Sequence, residues 1–335
     1  MSIVKNRSEL LFLYDVKDAN PNGDPAEENK PRIDEETGIN IVTDVRLKRT
    51  IRDYLSNFKH LNVFVREELK QDGSIKTREE KLEEAEIKTK ADAEKLLKDN
   101  IDLRLFGATI AARGKKSKQE PEEKESKPKG EKVFTWIGPV QFRFGRSLHK
   151  VEPVLIKGTS VLPSTEMKAA GTFTETWIVP YSLICFYGIV NENEAKNTLL
   201  KEDDVNLMME AMWNGTKNLI TRSKMGHNPR LLLRVDYKEG NYHIGDLDKK
   251  VKIMTDKSDE QLRNITDLKL DITELLKTLG SNKHKIDSIR LEVSTDLVAT
   301  LVDNTTMKEY KGSQFLDLFR ERLGVPVELM NFDRQ

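Results

Sequence analysis

Apolar residues run almost unbroken from Leu10 to Val16, between Glu9 and the Pro/Asn/Gly stretch Asn20–Pro25. So short a run, closed by turn residues, reads as a buried strand. The loop Asn20-Pro21-Asn22-Gly23-Asp24-Pro25 ends it, with Gly23 placed to supply a positive φ. From Thr43 the period turns helical. Leu47, Ile51, Tyr54, Leu55 and Phe58 fall on one face, a stripe that should pack on a sheet. Thr43 is the expected N-cap, its hydroxyl accepting from a first-turn amide, and Asp44 follows where the helix dipole favours an acid. Asn62–Arg66 reads as a second short strand.

Residues 67–100 are dense in Lys and Glu, and the sparse apolar positions Leu82, Ile87, Leu96 and Leu97 suit helices over 76–88 and 91–99. Residues 113–132 carry mixed charge and no large apolar side chain, which reads as a mobile loop. Val140, Phe142 and Phe144 alternate with Gln141 and Arg143, a strand pattern. Two apolar patches in 147–175, split by Gly158 and Pro163, suggest a hairpin or extended arm. Residues 176–190 form a strongly apolar strand region, and Asp203 or Asp204 can cap a helix over 205–220. A basic turn spans 221–230, a strand 231–237 turns towards another at 242–244, and 262–279 reads as helix, 286–293 as strand and 313–323 as helix. Strands and helices in this order fit an α+β fold on an antiparallel sheet, with a ferredoxin-like, RRM-like core as its natural form.

Charge narrows this only locally. Among 335 residues, 56 basic and 56 acidic side chains cancel, so patches alone can speak for nucleic acid. The one cysteine, Cys185, excludes an internal disulfide and fits a reducing cytosol. No segment has signal-peptide or membrane-span character. The five histidines are scattered without metal-ligand spacing, and no phosphate-binding loop or nucleophile motif occurs.

The basic positions of the first helix stand out. Lys48, Arg49 and Arg52 lie along one edge of its apolar stripe, and Arg46 points to the other flank. A basic strip on an oriented helix suits a phosphate backbone. By spacing alone, a solvated face with i,i+4 pairs is the commoner outcome. The amides of Asn20 and Asn22 and the backbone of Gly23 can approach a ribose-phosphate chain, with the same loop equally an ordinary turn.

Several stretches resemble a known family. Asp18–Pro25, Pro31–Gly38, Val42–Asp44 and Leu47–Arg52 look like the N-terminal signature of the CRISPR Cascade backbone subunit of type I systems, closest to subtype I-B with I-C a near relative. Asp102–Gly107 and Gly138–Ser147 agree with it, so the resemblance runs in order over about two thirds of the chain. It implies an RRM-like palm with a helical fingers insertion and a β-hairpin thumb. By order, 1–66 is palm, 67–146 fingers with the charged loop and a returning palm strand, 147–175 thumb, and 176–335 the rest of the palm with C-terminal elements.

The resemblance further implies a non-catalytic subunit without cofactor or metal, stacking in copies along a CRISPR RNA. Bases stay free to pair with target DNA through the guide heteroduplex, and a repeat-processing nuclease, a guide-end cap and large and small subunits complete a cytoplasmic complex. Lys48 and Arg52 match phosphate-contacting positions, with Arg49, Arg46 and Thr43 beside them. Asn20, Asn22, Gly23 and Asp24 form the adjoining loop. Arg222, Lys224 and Arg230 match another RNA-facing basic turn, with Gln141 and Arg143 comparable. Leu162, Met167 or Phe173 would be the thumb's apolar wedge between bases. Type III relatives cut RNA with a loop aspartate, so a metal-dependent endoribonuclease built on Asp24 is the alternative, and a stand-alone single-strand binder a third.

Overall fold

The computed structural model describes residues 2–112, 132–159, 173–238, 240–303 and 306–332. In chain order the strands are β1 (Ser8–Ala19), β2 (Gly23–Asp24), β3 (Lys30–Pro31), β4 (Ile39–Val42), β5 (Gly107–Ala112), β6 (Lys132–Ile137), β7 (Val140–Phe142), β8 (Gly145–Lys150), β9 (Val154–Thr159), β10 (Phe173–Val190), β11 (His227–Tyr237), β12 (Lys252–Met254), β13 (Lys269–Asp271), β14 (Ile286–Val293), β15 (Val298–Asp303), β16 (Thr306–Lys311) and β17 (Val327–Leu329). The α-helices are α1 (Asp44–Asn57), α2 (Arg78–Glu84), α3 (Lys90–Asp99), α4 (Ile101–Phe106), α5 (Glu192–Thr198), α6 (Glu202–Lys217), α7 (Thr273–Ser281) and α8 (Gln314–Leu323).

β1 is central, antiparallel to β10 on one side and to β11 on the other. The main sheet runs β17-β14-β11-β1-β10-β8-β4, with β7 and β9 also paired to β10. Side chains alternate across it, which explains the unbroken apolar run of β1. Leu10, Phe12, Tyr14 and Val16 face one core with Leu47, Ile51 and Leu55 of α1 and Met208, Met212 and Trp213 of α6. Leu11 and Leu13 face the other core, built with α7, α8 and a four-stranded sheet, β12-β13-β15-β16. The chain thus threads β1–α1–β8–β10–α6–β11. Those four strands stand in the order β11-β1-β10-β8, and both helices cover the same face. Pairing is antiparallel except at β14–β17 and β13–β15. A satellite core of Leu82, Ile87, Ala93 and Ile110, with Phe134 and Trp136 packed on it, joins α2, α3 and the β5–β6 hairpin. The fold is α+β with antiparallel-rich sheets.

Several expectations change. Phe58 lies past the last turn of α1 and is 54% exposed, so the buried stripe ends at Leu55. Residues 62–66 form no strand, because the amides of Phe64 and Val65 donate to Asp102 rather than to a ladder. The cap of α6 is Lys201, with Asp204 at the third helical position reaching back to its amide. Residues 242–244 are not a strand: the Ile244 and Gly245 amides donate to the buried Glu9 carboxylate. The expected helix over 262–279 divides into a 3-10 turn at Ile265–Asp267, β13, and α7. Its positions Leu268, Leu270 and Ile272 are buried in alternation, a period of two. Of the charged loop, residues 113–131 lie outside the described residues. In the proposed hairpin arm, β8 belongs to the main sheet, and the paired legs are β9 and the first residues of β10.

Candidate nucleic-acid interface

The end of β1, the N-terminus of α1 and the turn after α6 meet at one place. Asn22 ties the first two together: its Oδ1 accepts from the Thr43 amide at 2.8 Å and from the Thr43 hydroxyl at 2.8 Å. Thr43 does occupy the N-cap, but its hydroxyl donates to Asn22 and makes no cap bond. Gly23 has an ordinary φ. A Cβ there would stand 2.1 Å from Asn29 Oδ1, so close approach is what the position requires. Asp24 caps the following 3-10 turn through the Ala26 amide at 3.0 Å and pairs through its other oxygen with Arg32. Both carboxylate oxygens are engaged.

Asn20 is buried and links the loop to the third segment. Its amide donates to Ser223 O at 2.8 Å, its Nδ2 to Asn29 O at 2.7 Å, and its carbonyl accepts from Lys224 Nζ. The turn is held against β1 by a Lys17 amide bond to Gly226 O at 3.1 Å. Gly226, at φ +108°, lies where a Cβ would meet Lys17 O at 2.4 Å. His227 stacks on Tyr14 at 5.8 Å, and its Nδ1 meets Lys224 O.

This junction is electropositive. Burial, then the charge of Arg46, lowers the Lys224 ammonium to about 8. Burial first, then Lys224 and Arg46, pushes the His227 imidazole to about 3, so it is neutral at physiological pH. Burial also lowers the Arg46 guanidinium, although an arginine stays protonated. Arg46 reaches Thr50 Oγ1 at 3.2 Å, and Arg222 reaches Thr176 Oγ1 at 3.4 Å. Among the described residues, no carboxylate forms an ion pair with Arg46, Arg222 or Lys224.

The other basic positions of α1 are neutralised. Lys48 pairs with Asp44 at 2.9 Å and lies over the Phe106 ring. Arg52 pairs with the fully buried Asp102 at 3.0 Å and covers the same ring. Arg49 is shared between Asp53 at 2.8 Å and Glu67 at 3.2 Å. Arg230 corrects the expectation of a surface turn. It sits inside β11, at the irregularity in its pairing with β1, and is buried against Asp15 at 2.9 Å with Asp296 at 3.4 Å. Gln141 and Arg143 lie at the other end of β10, beside Ile189 and Tyr187, eight to ten residues from the Ala19–Val179 pair. That is roughly 26–33 Å along the strand. Arg143 there pairs with Asp246 at 2.5 Å and lies over Tyr187. Leu162 and Met167 fall outside the described residues, and of Phe173 only the backbone is described.

Tyr14, Asn29, Arg32 and His227 complete the junction and were not singled out as site residues by sequence. By sequence Tyr14 falls in an apolar strand and His227 in the basic turn, and the register of β1 against β11 brings both within the influence of Arg46.

A family model described as CRISPR-associated protein Cas7 matches residues 6–273. A CRISPR-associated protein Cas7 of Haloferax volcanii is 36% identical over 313 residues, covering 90% of either chain. A solved chain of a CRISPR RNA-guided surveillance complex is similar at 13% identity and a TM-score of 0.48, over 90% of both chains. One from a pre-nicking form of such a complex is similar at 12% identity and a TM-score of 0.48, over 92% of this chain and 95% of that one. Neither of those two likenesses adds to what the sequence matches establish. The resemblance first seen in Asp18–Pro25, Pro31–Gly38 and the start of α1 thus extends through most of the chain, and this protein belongs to the Cas7 family of CRISPR-associated proteins.

Proposed function

We propose that this chain is the non-catalytic, CRISPR RNA-binding backbone subunit of a type I Cascade complex, closest to subtype I-B. The observation that carries the reading is the junction of Arg46, Arg222 and Lys224 around the Asn20–Asp24 loop, in a Cas7-family chain, with no carboxylate paired to those three cations among the described residues. Unneutralised cations beside amide side chains suit a phosphate backbone and leave the bases unread. In this reading β1, α1, β8, β10, α6 and β11 are an RRM-like palm, α2–α4 with β5–β6 are fingers, and β9 with the start of β10 is the root of a thumb. Copies stack head to tail on the RNA, the further Cascade subunits close the assembly, and target DNA pairs with the exposed guide.

Lys48, Arg49 and Arg52 take a secondary place, since phosphate must compete with Asp44, Asp53 and Asp102 for them. The endoribonuclease alternative is disfavoured by Asp24, whose two oxygens hold a cap and an ion pair. Replacing Arg46 and Lys224 together by alanine should weaken binding to single-stranded RNA and flatten its salt dependence, by about 0.7 in logarithmic slope per lost phosphate contact. An unchanged slope in a folded double variant would overturn the site. Divalent-metal-dependent shortening of the RNA that is lost in Asp24→Ala would instead establish the nuclease.

A further inference from the structure

The junction also contains two buried atoms that accept hydrogen bonds and have no partner among the described residues. One is Asn20 Oδ1, on a residue only 1% exposed. Its identity as the oxygen follows from Nδ2, which donates to Asn29 O at 2.7 Å. The other is His227 Nε2, on a residue 4% exposed. With Nδ1 against the Lys224 carbonyl, the proton sits on Nδ1, and Nε2 presents a lone pair. Asn20 and His227 are bonded to the same dipeptide, Ser223–Lys224. The cluster therefore combines cations, which favour phosphate, with buried acceptors, which phosphate oxygens cannot satisfy.

A group that satisfies both must carry an anion and a nearby O–H donor, as a ribonucleotide does and a deoxyribonucleotide does not. We propose that Asn20 Oδ1 accepts the 2′-hydroxyl of a bound ribonucleotide while Lys224 and Arg46 hold the adjoining phosphate, making Asn20 the residue that separates RNA from DNA. This rests on the RNA-binding reading above. Lys224, which now lies on the Asn20 carbonyl, swings to the phosphate and uncovers Asn20 to the sugar.

The test compares the full-length protein on single strands of one sequence built from ribose, 2′-fluoro-ribose or 2′-deoxyribose. Fluorine keeps the sugar pucker of RNA but donates nothing. Leaving a buried acceptor unpaired should weaken 2′-fluoro binding about tenfold relative to ribose. In Asn20→Ala the ribose strand should fall to the 2′-fluoro level. Equal wild-type affinity for ribose and 2′-fluoro strands overturns this assignment and leaves RNA binding standing. Failure to bind any of the three overturns the RNA reading itself. Discrimination that survives in a folded Asn20→Ala also overturns it, and should that variant not fold, the wild-type comparison decides alone.

Discussion

At the scale of single residues, role follows from the neighbour a side chain meets. Thr43 has the right hydroxyl for a cap, yet Asn22, twenty-one positions earlier, takes it. Arg230 lies in a basic stretch and is nevertheless a core ion pair. Residue type and spacing revealed that these side chains mattered, but their partners come from distant strands. The same holds for two histidines. His149 accepts from the Leu183 amide at 3.2 Å and contacts Lys150 O through Nδ1 at 2.8 Å, so it stitches β8 to β10 as a neutral ring. Burial lowers its pKa below the usual 6.5, and that of His227 to about 3. The unfolded chain therefore binds more protons than the folded one between those values and 6.5. This contribution to stability is complete above about pH 6.5 and drains away as the pH falls towards the folded values. The urea midpoint should decline from pH 7 to pH 5, and His227→Gln should make that decline shallower. A midpoint independent of pH over this range would contradict the assignment.

At the scale of elements, α1 and β1 were legible because their patterns are long and one-sided. Leu47, Ile51, Tyr54 and Leu55 are buried as their period requires. Segments with few apolar residues were read less well. In 62–66 an apolar strand pattern competes with a long-range acceptor, and Asp102 wins by taking two amides and Arg52 in a fully buried position. The motif Asp102–Gly107 thus serves as an anchor between α4, α1 and this segment. Asp102→Ala leaves a guanidinium and two amides without their acceptor, and should cost about 3–5 kcal/mol by urea denaturation. A loss below about 1 kcal/mol would show that the segment is held by something else. In 262–279, alternate burial was mistaken for a helical period, since short apolar runs do not separate the two.

At the scale of the molecule, β1 is covered by helices on one face and by the C-terminal elements on the other, so both of its faces are core. At the rim where β1 ends, the Asn20–Asp24 loop, the start of α1 and the turn after α6 converge. The helix edge, the loop and the basic turn were legible in the sequence only as separate candidates, the turn through resemblance. Their convergence, and the contact of the turn with Asn20, needed the fold. The central claim, an RNA-binding backbone subunit, is tested most directly by sequencing the RNA that co-purifies with the protein expressed beside its neighbouring genes. The account predicts RNAs of uniform length carrying repeat-derived ends. Random cellular fragments, or no RNA at all, would contradict it.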